Sequence, residues 1–237
     1  MKTLIIILSC LALISANVDA PTVEGAWSYQ DKKGQTTVVI LSDGHYSITT
    51  YDLQQKLFGT TLGGKYRVDG DKIIETIEFN TANPELVGTE RSSITMATKG
   101  KDGALTYGGE KYKRLDDGTP GKLAGAWVIT GRMTPNGIRR NTPGARRTMK
   151  ILSGTRFQWI AYNVETKEFS GTGGGTYTTV DGKYTENIEF FSRDNSRVGA
   201  SLSFEFAIEG TEWRHKGLSS KGDPLDEMWT KRSEIGL

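Results

Sequence analysis

Cysteine and histidine are nearly absent from this chain, which has one Cys and two His among its 237 residues. The cysteine, Cys10, lies in an apolar run at the start of the sequence, so the remainder can form no disulfide, thiol nucleophile or thiolate metal site. A zinc site needs several ligands, and His45 and His215 offer nothing beyond a lone axial histidine. We therefore predict no metal and no cofactor, and we expect stability to come from core packing.

An excess of charge of one sign is also lacking. The 30 Lys and Arg residues nearly balance the 28 Asp and Glu residues, which gives a net charge of +2. Nucleic-acid binding usually requires a stronger and more organised basic face. A nucleic-acid partner is therefore not predicted.

The only long apolar run, Leu4–Ile14, follows a basic start and precedes small residues, a pattern typical of a secretory signal peptide. The run is shorter than the 20 or so residues that span a membrane, and the residues before Cys10 do not suit a lipid anchor. We expect a signal peptide at residues 1–20, cleaved after Ala16 or Ala20. The mature protein would then have no transmembrane segment and would be secreted or periplasmic.

The remaining sequence repeats itself. The tripeptide GAW at Gly25–Trp27 returns at Gly125–Trp127, and three later segments recur after a constant 111 residues. These segments are Ile40–Tyr46 with Ile151–Phe157, Phe58–Tyr66 with Phe169–Tyr177, and Ile74–Phe79 with Thr185–Phe190. Such internal similarity indicates two tandem copies of one unit, which we place at residues 21–118 and 119–237.

The second copy carries about eleven extra residues between Trp127 and Ile151. This insertion is rich in Gly, Pro and Asn and is predicted to be a loop. Its five arginines are Arg132, Arg139, Arg140, Arg146 and Arg147. They could hold a carboxylate or phosphate over a barrel mouth, or simply belong to a solvated loop.

Most segments alternate apolar and polar residues and are separated by turn signals such as SDG and DGD. No stretch longer than two turns has a convincing helical period. Evenly spaced short strands favour closed barrels, because closure removes exposed sheet edges. The predicted fold class is all-β, with two tandem antiparallel up-and-down barrels, and the glycines of GTGGGTY are predicted to form a barrel bend or bulge.

A GxW at the start of each copy and a basic residue near its end resemble the calycin pattern of lipocalins. In that family the Trp plugs the closed end of the barrel and a late Arg stacks over it. The resemblance implies such a pair for Trp27 with Arg114, and for Trp127 with Lys231 or Arg232. The second copy, with GTGGGTY, YTENIEF and GLSSKGDPLDEMWTKR, also resembles an uncharacterised family of secreted Gram-negative lipocalin-like proteins.

Strand alternation places Tyr184, Glu186, Ile188 and Phe190 on one face. If that face points into the barrel, Glu186 is a carboxylate among aromatic rings and needs a partner. The same reasoning applies to Glu75 in the first copy. The carboxylate could form a structural ion pair, orient a ligand or act as a general acid or base.

His215 shares a strand face with Trp213 and is predicted to be a hydrogen-bonded residue of the core or the rim. Aromatic side chains of the second copy suit a concave pocket, although they could equally fill the barrel. The candidate ligand-binding residues are Glu186, His215, Tyr177, Tyr184, Trp159, Tyr162, Trp213 and Arg193.

The leading hypothesis is a binding protein for a small apolar or amphipathic ligand in the second barrel. The alternative is a structural or interaction module that presents the segment 131–147 to a protein partner in the cell envelope. An enzyme is not predicted and no catalytic residue is assigned, although an isomerase or cyclase using Glu186 and His215 stays open.

Overall fold

The computed structural model describes residues 23–97, 103–116, 119 and 121–237. The predicted signal peptide, with Cys10, lies outside these residues. In the described part, every regular element except three short 3-10 helices is a β-strand, and no helix is long and apolar enough to cross a membrane. The expectation of an all-β fold is confirmed.

The first copy forms a closed antiparallel barrel of eight strands in sequential order. The strands are β1 (Gly25–Gln30), β2 (Thr36–Ser42), β3 (His45–Asp52), β4 (Leu57–Asp69), β5 (Lys72–Asn80), β6 (Glu90–Ala97), β7 (Ala104–Tyr107) and β8 (Glu110–Arg114). The ring closes where Trp27 and Ser28 of β1 pair with β8. A 3-10 helix, Pro84–Leu86, lies between β5 and β6.

The second copy forms a nine-stranded antiparallel sheet that curls round until β9 pairs with both β11 and β17. The strands are β9 (Gly125–Thr134), β10 (Gly137–Arg140), β11 (Arg146–Leu152), β12 (Arg156–Asn163), β13 (Phe169–Val180), β14 (Lys183–Phe191), β15 (Ser201–Glu209), β16 (Glu212–Leu218) and β17 (Pro224–Lys231). The other 3-10 helices are Asn195–Arg197 and Ser233–Ile235. The two structures are called the first and second barrels below, and the predicted tandem architecture is confirmed.

The insertion is not simply a loop, and that prediction is wrong for its first part. Strand β9 continues to Thr134, turns through two residues and returns as β10, where Gly137 adopts a φ of 102° that glycine readily accepts. The hairpin pairs Arg139 with Arg132 across the strands. Extra length in this copy therefore extends the sheet.

Each barrel has a tryptophan under a cation at the end where its sheet begins. The guanidinium carbon of Arg114 lies 3.9 Å from the centre of the Trp27 ring, and Lys231 Nζ lies 5.5 Å from that of Trp127. Lys231, and not Arg232, is therefore the counterpart of Arg114. This arrangement fits a lipocalin-like fold.

A β-bulge occurs at the same place in both barrels. In β14, Ile188 pairs with Gly175 and Phe190 pairs with Gly174, so Glu189 is an extra residue without a partner on β13. The bulge breaks the alternation expected from the sequence. Tyr184 and Ile188 belong to the core of the second barrel, whereas Phe190 packs between the barrels. The irregularity predicted for GTGGGTY is found at Gly174 and Gly175, but the extra residue belongs to the partner strand β14.

The outer faces of the two barrels pack on one another through a shared apolar core. Residues 111 apart make equivalent contacts: Tyr51 donates to Glu189 Oε2 at 2.5 Å, and Tyr162 donates to Glu78 Oε2 at 2.6 Å. Ring centres are 5.0 Å apart in both Tyr51–Phe190 and Phe79–Tyr162. Reciprocal contacts of this kind define an isologous interface with approximate two-fold symmetry.

Arg232 breaks this symmetry. Its fully buried guanidinium donates to both carboxylate oxygens of Glu78, at 2.8 and 2.7 Å. Burial alone would raise the pKa of Glu78, but the hydrogen bonds and charge of Arg232, helped by Tyr162, lower it to about 2. Glu78 therefore remains a carboxylate in the interface.

Candidate functional site

The second barrel contains a cavity of about 300 Å³. On β9 it is lined by Ile129 and Arg132, which follow Trp127 in the sequence. Half of its wall is apolar: Ile129, Trp159, Ile188, Phe191, Leu202, Phe204, Leu225 and Trp229. The other half is polar or charged: Arg132, Thr148, Lys150, Glu186, His215, Ser219, Ser220 and Glu227. A concave site of this size and mixed composition is typical of small-molecule binding.

A buried ion pair lies in the wall of this cavity. Lys150 Nζ donates to Glu186 Oε1 at 2.7 Å, and both side chains are nearly inaccessible to solvent. The ammonium also lies 4.9 to 5.6 Å from the centres of four aromatic rings, where cation–π attraction adds to the pairing. These rings are Tyr184, Trp213, Trp229 and Phe204. Lys150 is therefore the partner that the sequence required for Glu186.

His215 lies beside this pair on β16. Burial, together with the positive charge of Lys150, lowers the pKa of His215 to about 4, so the ring is neutral at neutral pH. Its Nδ1 is 3.6 Å from Glu227 Oε2, too long for a hydrogen bond, and neither ring nitrogen has a hydrogen-bond partner among the described residues. The predicted core position of His215 is observed, but the hydrogen bond expected with it is missing.

Glu227 and Arg132 form a second ion pair, with Arg132 Nη2 3.2 Å from Glu227 Oε1. Burial would raise the pKa of Glu227, but His215, Lys150 and Arg132 lower it overall. The Arg132 side chain is 61% exposed, so it occupies the solvent edge of the cavity. Of the five arginines of the insertion, Arg132 alone contributes to the cavity wall.

The equivalent place in the first barrel is occupied differently. Glu75, which corresponds to Glu186, accepts a hydrogen bond from Arg91 Nε at 2.6 Å and another from the Tyr107 hydroxyl. Tyr107 holds the position of His215, since each pairs across its hairpin with a glutamate. The position of Lys150 is taken by Val39. The first barrel therefore satisfies its buried carboxylate with its own side chains.

The predicted site residues divide into three groups. Glu186, His215 and Trp159 line the cavity. Tyr184 and Trp213 are buried against His215, with ring centres 5.7 and 5.3 Å from it.

The remaining three lie elsewhere. Tyr177 packs on Tyr184 and donates to the Ser153 carbonyl at 2.6 Å. Tyr162 faces the first barrel, where it bonds Glu78. Arg193 is exposed after β14 beside Gly171. None of these three is part of the cavity wall.

Lys150 and Glu227 were missed as site residues. A signal for Lys150 exists in the repeat, because the first copy has Val39 and Arg91 where the second has Lys150 and Leu202. The cation that pairs with the glutamate therefore comes from a different position in each copy, Arg91 in the first and Lys150 in the second. Such an exchange between copies indicates two positions that face the same carboxylate.

The sheet order, the tryptophan under a cation and the cavity of the second barrel fit a lipocalin-like fold. No protein-family model matches the chain, and no curated protein matches it. Within the described residues, no group of three or more His, Cys, Asp and Glu side chains could hold a metal ion.

Proposed function

We propose that the second barrel binds a small amphipathic molecule in the cavity around Lys150. The observation that carries the proposal is the cavity itself, whose wall combines apolar and aromatic side chains with an equal number of polar ones, among them the buried pair Lys150 and Glu186. Filling it removes apolar surface from water, and the polar groups provide orientation. Its volume of about 300 Å³ suits a compact ligand rather than a long lipid chain.

The contrast between the barrels supports this assignment. The copies share a scaffold and a buried glutamate, but in the first barrel Tyr107 and Arg91 both bond that glutamate. In the second, His215 replaces the tyrosine and Leu202 replaces the arginine. Two bulky polar side chains are thus exchanged for smaller ones around the cavity, while Lys150 replaces Val39 and pairs with the glutamate.

Filling the cavity tests the proposal. Leu202→Trp adds an indole to the cavity wall, whereas Ile208→Trp adds the same group to an exposed position of the same strand, β15. We expect the neutral fluorescent probe N-phenyl-1-naphthylamine to bind the unaltered protein and to lose at least about tenfold in affinity with Leu202→Trp, an energy of about 1.4 kcal/mol.

The Ile208→Trp variant should bind the probe as the unaltered protein does. Unchanged binding to Leu202→Trp would show that the probe sits elsewhere and would remove the support for the cavity as the site. Native mass spectrometry of protein purified from its own host would then reveal any bound molecule directly.

A further inference from the structure

The charges in the cavity wall are already balanced. Lys150 pairs with Glu186 and Arg132 pairs with Glu227, two cations with two carboxylates. His215 adds no charge at neutral pH. A ligand with a net charge would bring an uncompensated ion next to the buried Lys150–Glu186 pair, which costs free energy unless a counter-charge is present. The cavity therefore favours a neutral ligand.

Two residues of the cavity wall, His215 and Trp229, have buried polar atoms without a hydrogen-bond partner among the described residues. The His215 side chain is 3% exposed and lines the cavity, and a neutral imidazole offers one donor and one acceptor. The carboxylate of Glu227, 3.6 Å from Nδ1, favours the tautomer with the proton on Nδ1, because an imidazole lone pair would be repelled there. The other nitrogen, Nε2, is then a buried acceptor without a hydrogen-bond partner among the described residues. A ligand that donates a hydrogen bond would satisfy it.

The rest of the wall favours a flat ring. Trp159 and Phe191 meet edge to face with centres 5.4 Å apart, and Phe204 lies 4.2 Å from the His215 ring. Aromatic walls of this kind contact planar molecules over a large area and at favourable ring geometry. Trp229 adds an indole N–H that has no partner either.

We propose that the ligand is a neutral ring compound carrying a hydroxyl group that donates its hydrogen bond to Nε2 of His215. This inference rests on the proposed function and specifies the class of ligand for the same cavity. It assigns His215 as the residue that distinguishes hydroxylated from purely apolar ligands.

Four naphthalene compounds that share one ring system test this assignment by displacement of N-phenyl-1-naphthylamine at pH 7. These are 1-naphthol, naphthalene, the anion 1-naphthoate and the cation 1-naphthylmethylammonium. We expect 1-naphthol to bind about tenfold more tightly than each of the others, since a net hydrogen bond contributes about 1 kcal/mol or somewhat more. The comparison uses the unaltered protein, so it does not depend on the folding of a variant.

A variant locates the effect. His215→Phe keeps a flat ring but removes the acceptor, and we expect it to weaken 1-naphthol binding to the level of naphthalene while naphthalene binding stays within twofold. Equal binding of 1-naphthol and naphthalene, or tighter binding of either ion, would overturn the ligand class although the cavity still binds the probe. Failure of the probe itself to bind would instead reject the proposed function.

Discussion

Two glutamates at equivalent positions, Glu75 and Glu186, are buried and paired with different cations. A carboxylate in such a place costs several kcal/mol unless it is paired or hydrogen-bonded. The first barrel supplies Arg91 from a neighbouring strand, and the second supplies Lys150 from the far side of the interior. The requirement for a counter-charge is therefore preserved while the residue that provides it changes.

Replacing Lys150 tests whether the stability of the protein depends on a counter-charge for Glu186. We expect Lys150→Met to lower the free energy of unfolding by about 3 kcal/mol, because it leaves Glu186 buried without its cation. Removing both charges in Lys150→Met/Glu186→Leu should restore stability to within about 1 kcal/mol of the unaltered protein. Denaturant unfolding at pH 7 measures both values.

Lys216→Met, at an exposed position of β16, is the matched control and should change stability by no more than about 0.5 kcal/mol. A double variant as unstable as Lys150→Met alone would mean that the loss comes from packing of the lysine and not from the unpaired carboxylate.

At the scale of elements, the bulges decide which side chains reach the interface. An extra residue in β5 and in β14 turns the following phenylalanine outward and leaves Glu78 or Glu189 facing the other barrel. The backbone at the bulge runs close to the adjacent strand. A Cβ atom at Gly174 would lie 2.6 Å from the Phe157 carbonyl oxygen and 2.5 Å from the Phe190 ring.

A single methyl group should therefore disturb the bulge. We expect Gly174→Ala to lower the free energy of unfolding by about 2 kcal/mol, as overpacking of a rigid site does. Gly144→Ala is the control, since no heavy atom lies within 4 Å of its added Cβ. Thermal or denaturant unfolding compares the two, and equal stability would show that the strands adjust without strain.

At the scale of the whole molecule, the two barrels meet as the subunits of a symmetric dimer do. Phe58 and Phe169, equivalent residues of the two copies, stack on each other with ring centres 6.3 Å apart and planes only 7° from parallel. Equivalent residues in direct contact lie on or near a two-fold axis. We therefore expect this interface, and not the covalent connection between the barrels, to hold them in register.

The two barrels should consequently remain associated after the chain between them is cleaved. With a protease site introduced after residue 118, we expect the cleaved protein to elute from a size-exclusion column as one 1:1 complex, because the apolar core and the reciprocal Tyr–Glu bonds persist. Phe58→Lys/Phe169→Lys, which places like charges face to face at the axis, should make the cleaved halves separate.

Leu57→Lys, at the neighbouring exposed position, is the control for the added charge and should leave the complex intact. Separation of the cleaved, otherwise unaltered protein into two smaller species would show that the linker, and not the interface, maintains the assembly.

Much of the fold was predictable from local patterns. The repeat located two copies, alternation located most strands, and the GxW with its late basic residue located the start and end of each sheet. The same local reasoning was wrong for the insertion, because a short hairpin rich in Gly and Asn has the composition of a loop. It also placed Phe190 with Tyr184, since a one-residue bulge is invisible to a rule of strict alternation.

The candidate site was predictable only in part. Glu186 and His215 stood out as polar residues on apolar strand faces, but Lys150 did not, because its neighbours Met149 and Ile151 look like the inward face of β11. In the structure these two pack against the first barrel, and the lysine points to the interior side. When both faces of a strand are buried, the alternation of apolar residues does not show which face points into the barrel and which packs against the other barrel.

The sequence by itself determined two tandem all-β units with a buried glutamate in each, because period-two patterning and the cost of a buried charge are local properties. Tertiary structure alone decided which cation meets each glutamate, which aromatic residues line a cavity and which join the barrels. Those outcomes depend on strand register and bulges, which bring together residues far apart in the chain.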